Sequence, residues 1–91
     1  MDKSTKLLLK NNIKNLKDNK NVLDNSLAQI ELLMTSQRNL IKQYQDKGMS
    51  DEIIENEIDV VNEIQEAYSK MSISIDDLVN AISYLETIKN K

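Results

Sequence analysis

The chain has 91 residues and a formal net charge of −3 at pH 7, and its composition is 40% hydrophobic and 30% charged. This length accommodates one domain at most. The absence of cysteine and histidine excludes disulfides and thiolate metal sites and removes the usual general base of enzymes, while the absence of proline and the single glycine leave almost nothing to interrupt a helix.

The first half of the chain predicts one long amphipathic helix over about residues 4–46. Asp2 or Ser4 can cap its N-terminus. Seam residues then recur at alternating spacings of four and three, the heptad pattern of a helix that packs along its length. This first seam consists of Leu9, Ile13, Leu16, Lys20, Leu23, Leu27, Ile30, Met34, Gln37, Ile41 and Tyr44. Its polar members, Lys20 and Gln37, are of the kind that fixes register or partner choice. Poor helix formers at 15–21 make that segment the weakest part of the helix.

A tight turn is predicted at residues 47–50. Gly48 suits the left-handed conformation that ends a helix. Ser50 is a good N-cap, and Asp51 in the first turn of the next helix complements the positive end of its dipole. Met49 and Ile54 occupy the positions of a hydrophobic staple.

The second half predicts another long helix over about residues 51–89. Its seam consists of Val61, Ile64, Tyr68, Met71, Ile75, Leu78, Ile82 and Leu85. A further apolar row lies beside the seam at seven-residue spacing, broken only by Ser74, and consists of Ile53, Val60, Ala67, Ala81 and Ile88. So wide a stripe is typical of a multi-helix core. Ser74 could also begin a new helix, but the heptad phase continues through it and favours one continuous helix.

Two long helices joined by a short turn predict an all-α fold, an antiparallel two-helix hairpin that forms a single domain over residues 1–91. Because two helices alone make a thin core, we expect the hairpin to complete a four-helix bundle, either as a homodimer or with another helical protein. The residues predicted to form these helix–helix interfaces are Leu23, Leu27, Ile30, Met34, Ile41, Val60, Val61, Ile64, Tyr68, Met71, Ile75, Leu78, Ile82 and Leu85.

The sequence predicts no enzyme activity and no cofactor. Carboxylates, lysines and tyrosines remain as reactive groups, but they need a concave, desolvated pocket, which a two-helix rod does not offer. An acidic row could chelate a divalent cation, although its position opposite the seam favours a solvated outer face. This row consists of Glu52, Glu55, Asp59, Glu63 and Glu66. Glu57 differs, because it falls on the seam, where it marks register or a polar contact with a partner.

Charge is divided unequally along the chain, since residues 1–20 carry a balance of +4 and residues 46–86 one of −9. A lysine row in the first segment could bind phosphates or an anionic membrane surface. It consists of Lys6, Lys10, Lys14 and Lys17. No arginine or aromatic residue interleaves it, so no nucleic-acid partner is predicted, and no Trp or Phe supports membrane contact. We favour a solubilising role, or contact with the acidic end of a second copy.

Four apolar residues lie off both seams: Val22, Leu32, Ile73 and Tyr84. Isolated apolar residues on a protein surface are common. As a hypothesis, some of these four form an outer contact with a larger partner.

Localisation follows from the lack of long apolar runs. None approaches the roughly 18 residues of a membrane span, and the longest near the start, Leu7 to Leu9, is too short for the core of a signal peptide. The sequence therefore predicts a cytoplasmic chain without a membrane span. Export together with a partner, by a route that needs no cleaved signal, stays open.

A chain of this length, with two long helices, a tight central turn and no catalytic inventory, resembles the small helical-hairpin proteins of type VII secretion, the WXG100 group. It looks closest to their divergent relatives that accompany LXG-type toxins in Gram-positive bacteria. The resemblance covers the whole chain at the level of architecture. The turn reads Gln45-Asp46-Lys47-Gly48, in which Gly48 is the only match to the family's Trp-x-Gly motif. No acidic residue stands four positions after Tyr68 or Tyr84, where the family's Tyr-x-x-x-Asp/Glu export signal would have one.

The resemblance implies a targeting or chaperone-like partner that packs against the helical N-terminal domain of a larger secreted protein, a role that tolerates the absence of both motifs. Two other functions are compatible with the same residues. One is a self-assembling coiled-coil scaffold, for example encoded by a phage or plasmid. The other is a small inhibitor or immunity-type protein that caps the surface of its target.

Overall fold

The computed structural model describes all 91 residues and confirms the all-helical hairpin. Helix α1 (Lys3–Asp46) and helix α2 (Asp51–Lys89) run antiparallel, pack against each other and are accompanied by no strand. The hairpin is a rod with extents of 69 × 14 × 14 Å. Its radius of gyration is 20.4 Å, against about 12 Å for a compact domain of this length. Most of the chain therefore lies at the surface.

Side-chain caps fix where both helices begin. The Asp2 carboxylate accepts the backbone N–H of Thr5 at 2.7 Å, so α1 begins at Lys3. This hydrogen bond lowers the pKa of Asp2. The Ser50 hydroxyl accepts the N–H of Ile53 in the same way at the start of α2.

The turn between the helices is a Schellman motif. Gly48 has a φ of 70°, the left-handed conformation that glycine adopts most easily. Its N–H donates to the Gln45 carbonyl at 3.1 Å, and the N–H of Met49 donates to the Tyr44 carbonyl at 3.0 Å. The two hydrogen bonds satisfy carbonyls that the end of α1 would otherwise leave free.

Neither helix is interrupted at the place where its sequence allowed a break, the poor helix formers of residues 15–21 in α1 and the two serines of residues 72–74 in α2. Helix α1 continues through residues 15–21, and α2 continues through residues 72–74. Ser74 does not cap a new helix; its hydroxyl donates to the Lys70 carbonyl at 3.1 Å, one turn earlier. Such back-bonding satisfies the hydroxyl within the helix, so the heptad phase prevails over local propensity.

The core of the hairpin is one layer thick. Every member of the two predicted seams is buried or half-buried. Only five residues fall into the buried class, and no side chain is less than 2% exposed. The five are Ile13, Met34, Val61, Ile75 and Ile82. A two-helix rod leaves both edges of its seam open to water, which explains why most seam residues stop at half-burial.

The polar residues of the seams find partners inside the hairpin. The Gln37 side-chain amide donates a hydrogen bond across the helix pair to the Glu57 carboxylate, and both residues are half-buried. Lys20 forms an ion pair of 2.8 Å with Asp24 on the next turn of α1. Glu57 was expected to mark register or to contact a partner; in the structure it accepts a hydrogen bond within the chain, which joins α1 to α2.

Candidate interaction surface

Cross-helix polar contacts identify one long side of the hairpin. Lys17 Nζ lies 2.6 Å from Glu86 Oε1, and Arg38 Nη2 donates to Gln65 Oε1 at 3.5 Å. Each of these four residues follows a seam residue by one position. In an antiparallel helix pair, residues that follow the seam face each other along one side. We call this the charged side.

The charged side also carries a carboxylate with a lowered pKa, Glu86. The hydrogen bond from Lys17, together with the positive charge of its ammonium group, lowers the pKa of Glu86. Two apolar residues, Ile58 and Val79, interrupt this side and are 41% and 44% exposed. Two polar pairs between α1 and α2, Lys17–Glu86 and Arg38–Gln65, thus cross the charged side.

The opposite long side is apolar near the turn. Leu33 and Leu40 of α1 and Val60 of α2 each precede a seam residue by one position, and Ile53 precedes Ile54, which continues the second seam from Glu57 towards the turn. The register that pairs Lys17 with Glu86 therefore aligns Leu33 with Val60 and Leu40 with Ile53 on this other side. We call this the apolar side. Leu33 is 53% exposed, Val60 45% and Ile53 40%, and no polar contact between α1 and α2 crosses it.

Beyond the turn half, the side chains of the apolar side become small or polar. The corresponding residues are Ala67, Ser74 and Ala81 of α2 and Ser26, Asn19 and Asn12 of α1. Small side chains at seven-residue spacing leave room for larger side chains of another helix to insert as knobs. The side thus offers bulky residues near the turn and room for a partner's bulky residues farther along.

The predicted interface residues divide between the two regions. All except Val60 lie in the seam between α1 and α2, where they form the hairpin's own core. Val60 alone belongs to the apolar side, whereas its neighbour Val61 is 8% exposed in the core. The list of interface residues omitted Leu33, Leu40 and Ile53, although the sequence places Leu33 and Leu40 in a row that flanks the first seam and Ile53 in the apolar row beside the second. What the sequence did not reveal is that the two rows lie on the same side, which follows only once the helices are antiparallel.

The other candidate sites named from the sequence are not assembled into a binding site. All five members of the acidic row are exposed, and the structure contains no group of three or more carboxylates placed to hold a metal ion. The surface depressions measure about 300 to 430 Å³ and are lined mainly by lysines near the open end of the hairpin. Neither helix contains an 18-residue window apolar enough to cross a membrane.

The fold and this surface define the class of protein: an antiparallel helical hairpin with one side closed by its own polar pairs and one side left apolar. Comparison of the chain with protein-family models, with curated proteins and with solved structures finds no match.

Proposed function

We propose that this chain is a non-catalytic interaction protein whose apolar side packs on the helices of another, larger protein. The observation that carries the proposal is the exposure of Leu33, Ile53 and Val60 together on one side of the rod. Apolar residues that share a continuous stripe mark a contact surface, whereas isolated ones do not.

The large surface area of the hairpin supports the proposal that a partner completes its core. The chain exposes 6889 Å², whereas a compact monomer of 10.5 kDa exposes about 5,400 Å². The excess of roughly 1,500 Å² exceeds the roughly 800 Å² that each partner buries in a standard protein–protein interface. Two helices laid along the apolar side would therefore bring the assembly to the proportions of a four-helix bundle.

The partner is proposed to be the helical N-terminal domain of a larger secreted protein of the LXG type, and the chain its targeting or chaperone-like companion. The resemblance to the type VII hairpin proteins supports this choice, and so do the small side chains of the apolar side. Two amphipathic helices with large apolar residues over Ser26, Ala67, Ser74 and Ala81 would cover it. On this proposal the pair assembles in the cytoplasm and leaves it together.

A second candidate is self-assembly as a scaffold, and the division of charge along the rod favours it. Two copies that lie antiparallel on their apolar sides place the lysine-rich open end of one copy beside the acidic turn half of the other. Exposed charge pairs of this kind steer association and are screened by salt. A homodimer held in this way would weaken as the salt concentration rises to several tenths molar.

The proposal is tested by co-expression with the helical N-terminal domain of an LXG-type protein, followed by mass determination by light scattering. The double variant Ile53→Ser/Val60→Ser should lose the complex while retaining its helical content by circular dichroism. The matched control is Leu32→Ser/Ile73→Ser. Both control residues are more exposed, at 71% and 62%, and stand midway between seam members, on the back of each helix.

Three outcomes are informative. Loss of the complex in the first variant alone supports docking on the apolar side. Loss in the control instead would assign docking to the off-seam residues. A stable homodimer that forms no complex with the larger domain would refute the companion role and leave the scaffold.

A further inference from the structure

The open end of the hairpin is strongly basic, because the antiparallel fold brings the end of α2 beside the start of α1. Residues 1–20 and 84–91 together hold eight lysines against three acidic side chains, a balance of +5. The turn half, residues 34–66, holds eight carboxylates against three cationic side chains, a balance of −5. The rod is 69 Å long, so the two charged ends are far beyond one screening length of each other. We call residues 1–20 and 84–91 the basic end.

Part of this positive charge has no partner within the chain. Lys14, Lys17 and Lys20 each form an ion pair with a neighbouring carboxylate. Lys3, Lys6 and Lys10 form none, and Lys89 and Lys91 add two further unpaired ammonium groups at the same end. Each lysine carries a compact charge on a flexible stem, so a cluster of unpaired lysines suits an anionic surface whose charges have no fixed geometry.

Two leucines stand among these lysines with nothing in the hairpin to cover them. Leu7 is 58% exposed and Leu8 61%, because the seam of α1 runs through Leu9 and both point away from it. Leu7 lies four residues after Lys3 and three before Lys10, the spacings at which side chains are neighbours on a helix. Leu7 and Leu8 line none of the depressions near the open end, so they offer no groove to the apolar side chains of a folded protein.

From these features we infer that the basic end binds the surface of an anionic membrane, with Leu7 and Leu8 entering the headgroup region. Leucines on a lysine-rich helix penetrate the boundary between headgroups and acyl chains, while long lysine side chains reach out to the phosphates. Each lysine near an anionic bilayer strengthens binding by about fivefold. The acidic turn half is repelled by the same surface, so the rod stands with its open end down and its turn half away from the bilayer.

A nucleic acid is the competing anionic partner, and the composition of the basic end disfavours it. Residues 1–20 contain no arginine to bind phosphates in a bidentate manner and no aromatic residue on which a base can stack. Exposed leucines contribute nothing to phosphate contacts, whereas they strengthen binding to a bilayer. Dependence on the leucines therefore separates the two partners.

The test is flotation of the full chain with phosphatidylcholine vesicles and with vesicles that contain about 30% phosphatidylserine, at about 0.05 M and 0.5 M salt. Binding is expected only to the anionic vesicles and only at low salt. Leu7→Ser/Leu8→Ser should weaken it about tenfold or more, and Lys3→Gln/Lys10→Gln by about twenty-five-fold. Helical content by circular dichroism confirms that each variant is folded.

The matched controls make the same kinds of substitution outside the basic end. Lys42→Gln/Lys47→Gln removes the same charge near the turn, and Leu32→Ser removes an exposed leucine from the middle of the rod; both should bind like the unaltered chain. Absence of binding to anionic vesicles at low salt overturns the inference. Vesicle binding that ignores the leucine substitutions and is displaced by heparin also overturns it, in favour of a general polyanion surface.

Discussion

Leu33 and Met34 are neighbours in the sequence, yet the structure assigns them to different surfaces, which makes them a sharp test of the hairpin. Met34 is 4% exposed in the seam, and Leu33 is 53% exposed on the apolar side. Replacing a buried methionine by alanine costs 2–5 kcal/mol in compact cores. We expect about 2–3 kcal/mol for Met34→Ala, because a core one layer thick can close partly around the lost side chain.

Leu33→Ala should cost no more than about 0.5 kcal/mol in the isolated hairpin, since half of that side chain already lies in water. The assay is urea unfolding followed by circular dichroism, at two protein concentrations, together with the melting temperature. Met34→Ala should lower the melting temperature by about 10–20 °C, and Leu33→Ala should scarcely change it. In a complex that covers the apolar side, the difference in stability loss between the two variants should become smaller, because Leu33→Ala then also removes a buried side chain. The same substitution should weaken binding of the partner about fivefold or more.

Equal losses of stability for Leu33→Ala and Met34→Ala in the isolated chain would refute the assignment of the two sides. If the loss for Leu33→Ala grew with protein concentration, the apolar side would instead be covered by a second copy under those conditions. The comparison thus tests the fold and the exposed surface with one pair of substitutions.

Three further predictions follow from single contacts. Gly48→Ala should lower the free energy of unfolding by about 1–2 kcal/mol in urea titrations, entirely through its positive φ, because an added Cβ would meet no atom within 4 Å. Contact with Lys17 lowers the pKa of Glu86. The stability that this ion pair contributes should therefore be complete above the ordinary pKa of 4.5 and be lost as the pH falls through the lower pKa of the folded chain. Glu86→Gln should remove this part of the acid dependence of the melting temperature. Glu57→Ala should destabilise the hairpin by about 1 kcal/mol and Gln37→Ala by a similar amount, and the double variant should cost less than the two together, as a double-mutant cycle would show.

Much of this fold is written into local patterns. The alternating spacing from Leu9 to Tyr44 and from Val61 to Leu85 requires two long helices, and Gly48 followed by Ser50 places the boundary between them. Continuity of α2 at Ser74 was also open to prediction, since a helix that restarted there would have broken the phase between Met71 and Leu78. These features depend on residues within a turn or two of one another, which the sequence displays directly.

The apolar side is different in kind, because it depends on how two distant helices are aligned. Leu33 and Val60 look like unrelated apolar residues until the antiparallel register places them level with each other. The partner of Glu57 is hidden for the same reason, since Gln37 is twenty positions away. What binds the apolar side depends on another molecule, and no residue of this chain records that identity.

Binding at the apolar side and binding at the basic end should affect hydrogen exchange in different parts of the hairpin, so the two can be studied separately. A ligand that binds only the folded chain stabilises it by about 2.7 kcal/mol when present at a hundred times its dissociation constant. A helical partner on the apolar side extends the thin core itself, so it should also slow hydrogen exchange along the seam near Met34 and Val61. Contact of the basic end with a bilayer involves Leu7 and Leu8, which lie outside the core, so at the turn half it should slow only the exchange that proceeds through complete unfolding and leave exchange through local opening unchanged. Slower local opening at the turn half on vesicle binding would mean that the membrane reorganises the hairpin as a whole.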